Sequence, residues 1–528
     1  MVGFSWFFGG MMVLLTITGL AMMETGCAKS KNAGSVMMEA IIAVTIAIPC
    51  FLLVGGIVSG LGESSAMMLE AMLAALVCCI LAGGIIGRMT VAGFMTVCAV
   101  AALLSYPLSV RACRILGGFG AYQDFGGFGT VFLSGAAAAY AASRMLGTRM
   151  GKGAKDAASV VPGHNIPFAL AGVLLFCVGL LGMAGANGLL IEIGEDMLSR
   201  AAENMVIGGS VSGLAGLLFT YIRYKKPDIT MTAGAAAAGF VAAVPGCDSV
   251  ASGWMCLIGV LTGFFTIIGI ESVERGGRVD DPAGVAVIFG IGGGFGLLGT
   301  GIFNSQTGLR ALPGNLAAIL LIFVINGVLV GVTEAVLNRF GLLRISKEQE
   351  MEGVDLCEYG LVSSYYDFQL NLDTTDWTDL YVQAKSEGES TETFFKEPYV
   401  YDAGKEPDIP LTKLEIICRK EKLEALKMAL NDIGIMGMTV SGVTGCGVQK
   451  GYNEYYRGVP ISVQLRAKVR IEVVVAKIPV DEVVNTARRV LFTGHVGDGK
   501  IFIYSLNDVV RVRTGESGYA AMQGALSE

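Results

Sequence analysis

The stretch "DFGGFGTVFLSG", residues 124–135, decides the fold of the apolar part of the chain because the sequence writes it twice. A similar phrase returns as "DPAGVAVIFG", residues 281–290. In both, an aspartate is followed eight residues later by phenylalanine: Asp124 by Phe132, Asp281 by Phe289. Asp124 precedes a long apolar run, where a carboxylate can accept hydrogen bonds from the free amides of a starting helix. The glycines let neighbouring helices approach closely. One copy opens the fifth apolar run and the other opens the tenth. An odd offset of five runs gives the copies opposite membrane orientations. Such an inverted repeat places a site near the bilayer midplane, between the two halves.

Working outward, the chain has 528 residues, 53% of them hydrophobic and 16% charged, which is a membrane-class composition. Residues 1–340 are nearly all apolar runs, while 341–528 read as a soluble protein. Eleven runs, near 4–24, 37–60, 67–87, 92–110, 125–145, 164–184, 204–222, 230–247, 253–271, 283–303 and 313–337, are long enough to span a bilayer. The first lacks a basic flank and a small-residue cleavage site, so it is expected to be a span. Alternate loops carry the basic residues: Lys29 and Lys31; Arg88; Arg144, Arg149, Lys152 and Lys155; Arg223, Lys225 and Lys226; Arg275 and Arg278. That asymmetry predicts an outside N-terminus and a cytoplasmic C-terminus, which requires an odd number of spans. The net charge of −7 gives no reason to expect a nucleic-acid partner. The cysteines are scattered without metal-ligand spacing and no nucleophile–base pair stands out, so neither a metal site nor an enzyme is expected.

Residues 1–360 resemble the ammonium transporter family (Amt/Mep/Rh). The matching stretches are "AMMETGCAKSKN" (21–32), "AGGIIGRM" (82–89), "DFGGFGTVFLSG", "HNIPFALAGVLLFCVGLLG" (164–182), "VDDPAGVAVIFG" and "GTGIF" (299–303), and the tail "LLRISKEQEMEGVDLCEYG" (342–360) is similar to that family's cytoplasmic regulatory tail. The resemblance implies an eleven-helix protomer, a homotrimer, and one ammonium or ammonia path through each protomer. It also implies that the family's two facing pore histidines fall on Phe132 and Phe289. Only two histidines exist, His164 at a span end and His495 in the soluble half, so no span carries one at its middle. Imidazole can relay a proton inside hydrocarbon; phenylalanine offers bulk and a π-face that attracts a desolvated cation by roughly 0.5–2 kcal/mol. By the same resemblance the outer gating phenylalanines fall on Leu73 and Met183, the recruiting serine on Asn187, and the recruiting tryptophan near Arg114. Asp124 is retained, either as a helix cap or as support for the cation site.

Residues 361–410 are polar and aperiodic and read as a linker. Regular patterns resume at 411, in the order strand, helix, strand, strand, helix, strand, which describes a ferredoxin-like domain. From 412 to about 522 the sequence closely resembles the PII signal-transduction (GlnB/GlnK) family, through "GIMGMTV" (434–440), "GCGVQKGYNEYYRG" (445–458), "KVRIEVVV" (468–475), "TGHVGDGKIFIYSL" (493–506) and "VVRVRTGE" (509–516). Glycine-rich turns such as "GDGK" can present backbone amides to phosphate. The resemblance implies a site for ATP or ADP made of Thr439, Gly445, Gly447, Val448, Gln449, Glu472, Gly497, Asp498, Gly499, Lys500, Arg511 and Arg513. It further implies that Gln449 completes Mg2+ and 2-oxoglutarate binding, and that Lys468 holds the 2-oxoglutarate carboxylate. The tyrosine uridylylated in some relatives falls on Ile461, and the arginine before the glutamine is Val448. Arg457 matches a long-loop arginine that relatives insert into a pore mouth, or is an exposed loop charge.

The expected fold is therefore an all-α membrane domain of eleven helices with an inverted repeat (1–340), a tail and linker (341–410), and an α+β PII domain (411–528). The preferred function is an ammonium sensor or receptor on a transporter scaffold, sited in the inner (plasma) membrane of a prokaryotic-type cell and signalling to a cytoplasmic partner. The rivals are a conducting channel plugged by its own PII loop, and a ligandless anchor for PII.

Overall fold

The computed structural model describes residues 2–61, 66–120, 122–150, 152, 161–191, 194–276, 279–361, 409–419, 422–435, 437–445, 453–456, 459–462, 466–494, 498–512 and 515–522. Two compact units are present, one of apolar helices with the tail and one holding the C-terminal sheet.

Among the described residues of the first unit, eleven helices are long and apolar enough to cross a membrane. They are α1 (Ser5–Cys27), α2 (Ser30–Ser59), α3 (Met67–Ile85), α4 (Val91–Gly118), α5 (Phe125–Leu146), α6 (Ile166–Leu190), α7 (Glu195–Tyr224), α8 (Ile229–Gly246), α9 (Ser252–Gly276), α10 (Val285–Phe303) and α11 (Gly308–Arg339). Their apolar residues close the backbone hydrogen bonds within each helix, as hydrocarbon demands. α1 and α6 pack backbone to backbone. A Cβ on Gly19 would lie 2.3 Å from the Phe176 amide nitrogen, and one on Gly172 would lie 2.4 Å from that of Met23. Glycine alone permits this approach.

The two repeated phrases start α5 and α10 in related ways. Asp124 accepts from the Gly129 amide (2.9 Å) and the Thr130 amide (3.0 Å); Asp281 accepts from those of Val285 (3.0 Å) and Ala286 (2.9 Å). The spacing differs by one residue. A 3-10 turn over Phe125–Gly127, with Gly126 and Gly127 in the left-handed region (φ 65° and 72°), precedes α5, whereas Gly284 (φ 77°) alone turns the chain into α10.

The tail forms α12 (Lys347–Glu352) and α13 (Val354–Tyr359). Ser346 and Gln349 close a capping box at the start of α12. The tail lies against three loops at the Asp281 end of the helices. Asp355 accepts from the amides of Gly34 (2.9 Å) and Ser35 (2.6 Å) at the start of α2, and the Val354 amide donates to Asn32 Oδ1 (3.0 Å). The Ile345 amide donates to Arg88 O (3.1 Å), and the Met150 amide to Glu350 Oε1 (2.6 Å).

The second unit comprises β1 (Leu411–Cys418), α14 (Leu423–Asp432), β2 (Thr439–Gly445), β5 (Arg466–Val475), α15 (Val480–Leu491) and β6 (Lys500–Leu506); between β2 and β5 in the chain, β3 (Asn453–Tyr456) and β4 (Val459–Ser462) form a separate two-stranded hairpin. The four-stranded sheet has order β2-β5-β1-β6, every pair antiparallel, which is the ferredoxin-like arrangement. Leu414, Ile416, Ile471 and Val473 on the sheet meet Leu426, Leu430, Val483 and Ala487 on the helices in one buried core.

Candidate functional site

At the middle of the helical unit the rings of Phe132 (α5) and Phe289 (α10) stack, with centroids 5.5 Å apart and planes at 19°. A third ring, Phe176 from α6, lies 5.5 Å from Phe289 at 50° and 6.1 Å from Phe132 at 69°. All three are buried. The one-residue difference between the two helix starts shifts the rise by only about 1.5 Å, so the rings still meet. The contact geometry is that of favourable aromatic pairs. No atom of the cluster can donate, accept or relay a proton. Sequence reasoning missed Phe176. Its signal is the pair Gly172 and Gly179, one helical turn before it and one after, which bring that face of α6 against α1.

Toward the Asp124 end, Leu73 and Met183 are buried. Asn187 sits over Gly126: a Cβ there would lie 2.7 Å from Asn187 Nδ2, which has no hydrogen-bond partner. Asp124 is fully engaged in structure. Besides the two helix amides it accepts from Tyr122 Oη (2.6 Å) and Thr130 Oγ1 (3.2 Å). Arg114 is exposed on the last turns of α4, and its charge acts on Glu70, which accepts from Tyr106 Oη at 2.6 Å.

At the opposite end a buried ion cluster ties the α5–α6 loop to α9 and to the Asp280–Asp281 turn. Asp280 accepts from Arg149 Nε (2.8 Å) and Nη2 (3.0 Å) and from Lys152 Nζ (2.8 Å), with Arg88 Nη1 at 3.6 Å. Lys152 also pairs with Glu274 (2.7 Å). Burial alone would raise the Asp280 pKa; the facing cations Arg149, Arg88 and Lys152 outweigh it and hold the carboxyl well below its usual range. Burial dominates at Arg88 and pulls its guanidinium down to about 10.

In the second unit the structure brings some expected nucleotide residues together and separates others. Thr439 on β2 pairs with Glu472 on β5, and both line a cavity of about 750 Å³ with Lys477 and Tyr519. Glu472 is engaged by Lys413 (3.1 Å) and Arg470 (3.3 Å). Asp498, Gly499 and Lys500 line a different cavity of about 710 Å³ with Arg488 and Arg489. Asp498 shapes this turn: it accepts from the Thr493 amide (2.7 Å) and Thr493 Oγ1, and pairs with Arg419 (3.1 Å). The Thr493 hydrogen bonds lower its pKa. Gly499 (φ 129°) must be glycine, since a Cβ would lie 2.1 Å from Ile417 O. β2 and β6 are opposite edges of the sheet, three strand spacings or about 14 Å apart. Arg511 is occupied by Glu516 (2.7 Å) and by the Ala521 carbonyl (2.9 Å). Lys468 is half-buried on β5, and Gly445 ends β2 opposite Arg466. Gly447, Val448, Gln449, Arg457, His495, Gly497 and Arg513, with the Ile461 side chain, lie outside the described residues.

Comparison with known proteins places both units. The profile of the Ammonium Transporter Family matches residues 58–364, and that of Nitrogen regulatory protein P-II matches residues 411–516. The ammonium transporter Amt2 of Archaeoglobus fulgidus is 28% identical over 406 residues, 67% of this chain and 86% of that protein. The nitrogen regulatory PII-like protein of Bacillus subtilis is 48% identical over 110 residues, 21% of this chain and 95% of its own length. Among solved structures, one titled "Sensor Amt Protein" superposes with a TM-score of 0.63 at 23% identity, over 68% of this chain and 98% of its own. Mep2 of Candida albicans superposes with a TM-score of 0.58 at 18% identity, over 65% of this chain and 87% of its own. These structural likenesses concern the fold.

Proposed function

Because the chain belongs to the ammonium transporter family and carries a PII domain of the nitrogen regulatory P-II family, we propose that it is an ammonium sensor. On this reading the helical unit binds ammonium and passes it poorly or not at all, and binding biases the nucleotide state of the PII domain. The observation that carries the reading is the ring cluster. Phe132 and Phe289 stack where the family resemblance calls for two proton-handling histidines, and Phe176 closes on both. An ammonium ion would have to shed its water there with no acceptor to receive it, a cost that a π-face offsets only in part.

The PII domain is proposed to take ATP or ADP, with Mg2+ and 2-oxoglutarate as further ligands at Gln449 and Lys468. The Thr439–Glu472 cleft and the Gly499–Lys500 turn lie on opposite sheet edges. That split favours a site completed by neighbouring copies in a homotrimer, the state both families share, and C3 closure would join the two units without strain. Arg511 would exchange Glu516 for phosphate on binding. The N-terminus is proposed to face outward, and the tail and PII domain the cytoplasm, where a signalling partner reads the nucleotide state.

Calorimetry on the purified full chain tests this. ATP and ADP affinities are measured with and without ammonium at constant ionic strength. The sensor reading expects ammonium to change at least one of them; identical affinities in both conditions reject it and leave the channel and anchor readings.

A further inference from the structure

Two buried carboxylates on the tail side of the ring cluster have no assigned work. Glu24, on α1, is fully buried; neither of its oxygens meets a donor at full hydrogen-bond geometry, and the Gly83 backbone amide is the one donor that acts on it. Glu39, on α2, is also buried, and its Oε2 is likewise unpaired. The charges that act most strongly on Glu24 are Glu39 and Asp281, both acidic. Asp281 is spent on the Val285 and Ala286 amides. The Arg88 charge acts on Glu39, but its terminal nitrogens go to the carbonyls of Gly84, Gly147 and Asp280 and to the Asp280 carboxylate.

Space has been kept for the Glu24 carboxylate. It lies against Gly83 of α3, where a Cβ would come 2.5 Å from Oε1 and 2.7 Å from Val285 Cγ1. Val285 is four residues before Phe289 on α10, so the carboxylate sits about one turn below the ring cluster. A buried carboxyl group with so little hydrogen bonding costs several kcal/mol, far more if charged, and a cation with N–H donors would offset that cost.

We propose that Glu24 and Glu39 form a binding site for one small monovalent cation bearing N–H donors, of which ammonium is the simplest. Four N–H donors satisfy the unpaired oxygens, and the positive charge offsets the acidic surroundings. The site also explains how occupancy could be read. Glu39 is one helical turn from Ser35, whose amide is held by Asp355 of the tail, and the Asp355 charge acts on Glu39. A cation at Glu39 relieves that repulsion and tightens the tail. The inference builds on the sensor reading by giving its ligand a place.

The test uses the full chain in detergent. Ammonium chloride is titrated by calorimetry against choline chloride at constant ionic strength, for wild type, E24Q and E39Q. Infrared difference spectra on adding ammonium are recorded alongside. Glu24→Gln keeps the shape and removes the charge, and its melting temperature reports folding. The expected result is a carboxyl or carboxylate difference band in wild type that E24Q removes, with ammonium affinity reduced tenfold or more. E39Q should show a smaller loss. Wild-type affinity and spectrum in folded E24Q overturn the site, even if ammonium still shifts nucleotide affinity and the sensor reading survives. An E24Q-sensitive band without any nucleotide shift upholds the site while the sensor reading fails. An equal response to potassium overturns the assignment to N–H donors.

Discussion

Removing the Phe289 ring should loosen the centre of the helical unit by an amount the geometry fixes. In a soluble protein Phe→Ala costs about 3–5 kcal/mol, part of it transfer of the ring from water. Helices already in a bilayer gain little from that part, because lipid is as apolar as the protein interior. What remains is packing. A missing phenyl ring leaves a gap on the order of 100 Å³, which at about 24 cal/mol per Å³ costs roughly 2.4 kcal/mol. Phe289 also makes two ring contacts with centroids at 5.5 Å, each worth about 0.5–1.5 kcal/mol. Together these give a loss of roughly 3–5 kcal/mol for F289A. In a double-mutant cycle with F132A, the pair should cost about 0.5–1.5 kcal/mol less than the sum of the singles, since one stack is then lost once instead of twice. Reversible unfolding in mixed micelles, followed by intrinsic fluorescence, measures both quantities. Single losses below about 1 kcal/mol that add without coupling would refute a packed aromatic plug.

Three further outcomes follow from the geometry. D280N should destabilise the helical unit by about 3–5 kcal/mol at pH 7, since it strips a buried partner from Arg149 and Lys152. Because the folded carboxyl titrates well below its unfolded value of about 3.9, that contribution is complete above this pH and is lost as pH falls below it; melting curves of wild type and D280N should therefore converge in acid. D355A, which leaves the Gly34 and Ser35 amides unpaired, should cost roughly 1–3 kcal/mol of tail docking and expose the tail to limited proteolysis while the membrane helices stay intact. G499A should destabilise the PII domain by at least about 1–3 kcal/mol, because φ 129° and the Ile417 carbonyl both reject a Cβ; unchanged denaturant stability would contradict that turn geometry.

The helix count and the ferredoxin-like order were legible because each rests on periodicity and length. The repeated phrase was legible in the sequence, and in the structure both Asp124 and Asp281 accept from the first amides of their helices. Its finer register was not, because the extra 3-10 turn before α5 depends on two left-handed glycines whose φ no spacing announces. The basic residues of one side carry an orientation signal in the sequence. Arg88, Arg149 and Lys152 are also buried partners of Asp280, carbonyl oxygens and Glu274, a role invisible until the chain brings loops more than a hundred residues apart together. Phe176 escaped notice because one phenylalanine in an apolar span carries no pattern of its own. Glu24, inside "AMMETGCAKSKN", carries no signal of its own in the sequence, since a charge near a span end usually reaches water; only burial shows that this one does not.

The central claim is that the Phe132–Phe289–Phe176 cluster closes the path that ammonium would take. Charge movement in proteoliposomes on a solid-supported membrane tests it most directly, with ammonium pulses applied to protein whose ammonium binding has been confirmed by calorimetry. The account predicts no ammonium-dependent current above that of empty liposomes. A saturable current from the wild-type chain would contradict it.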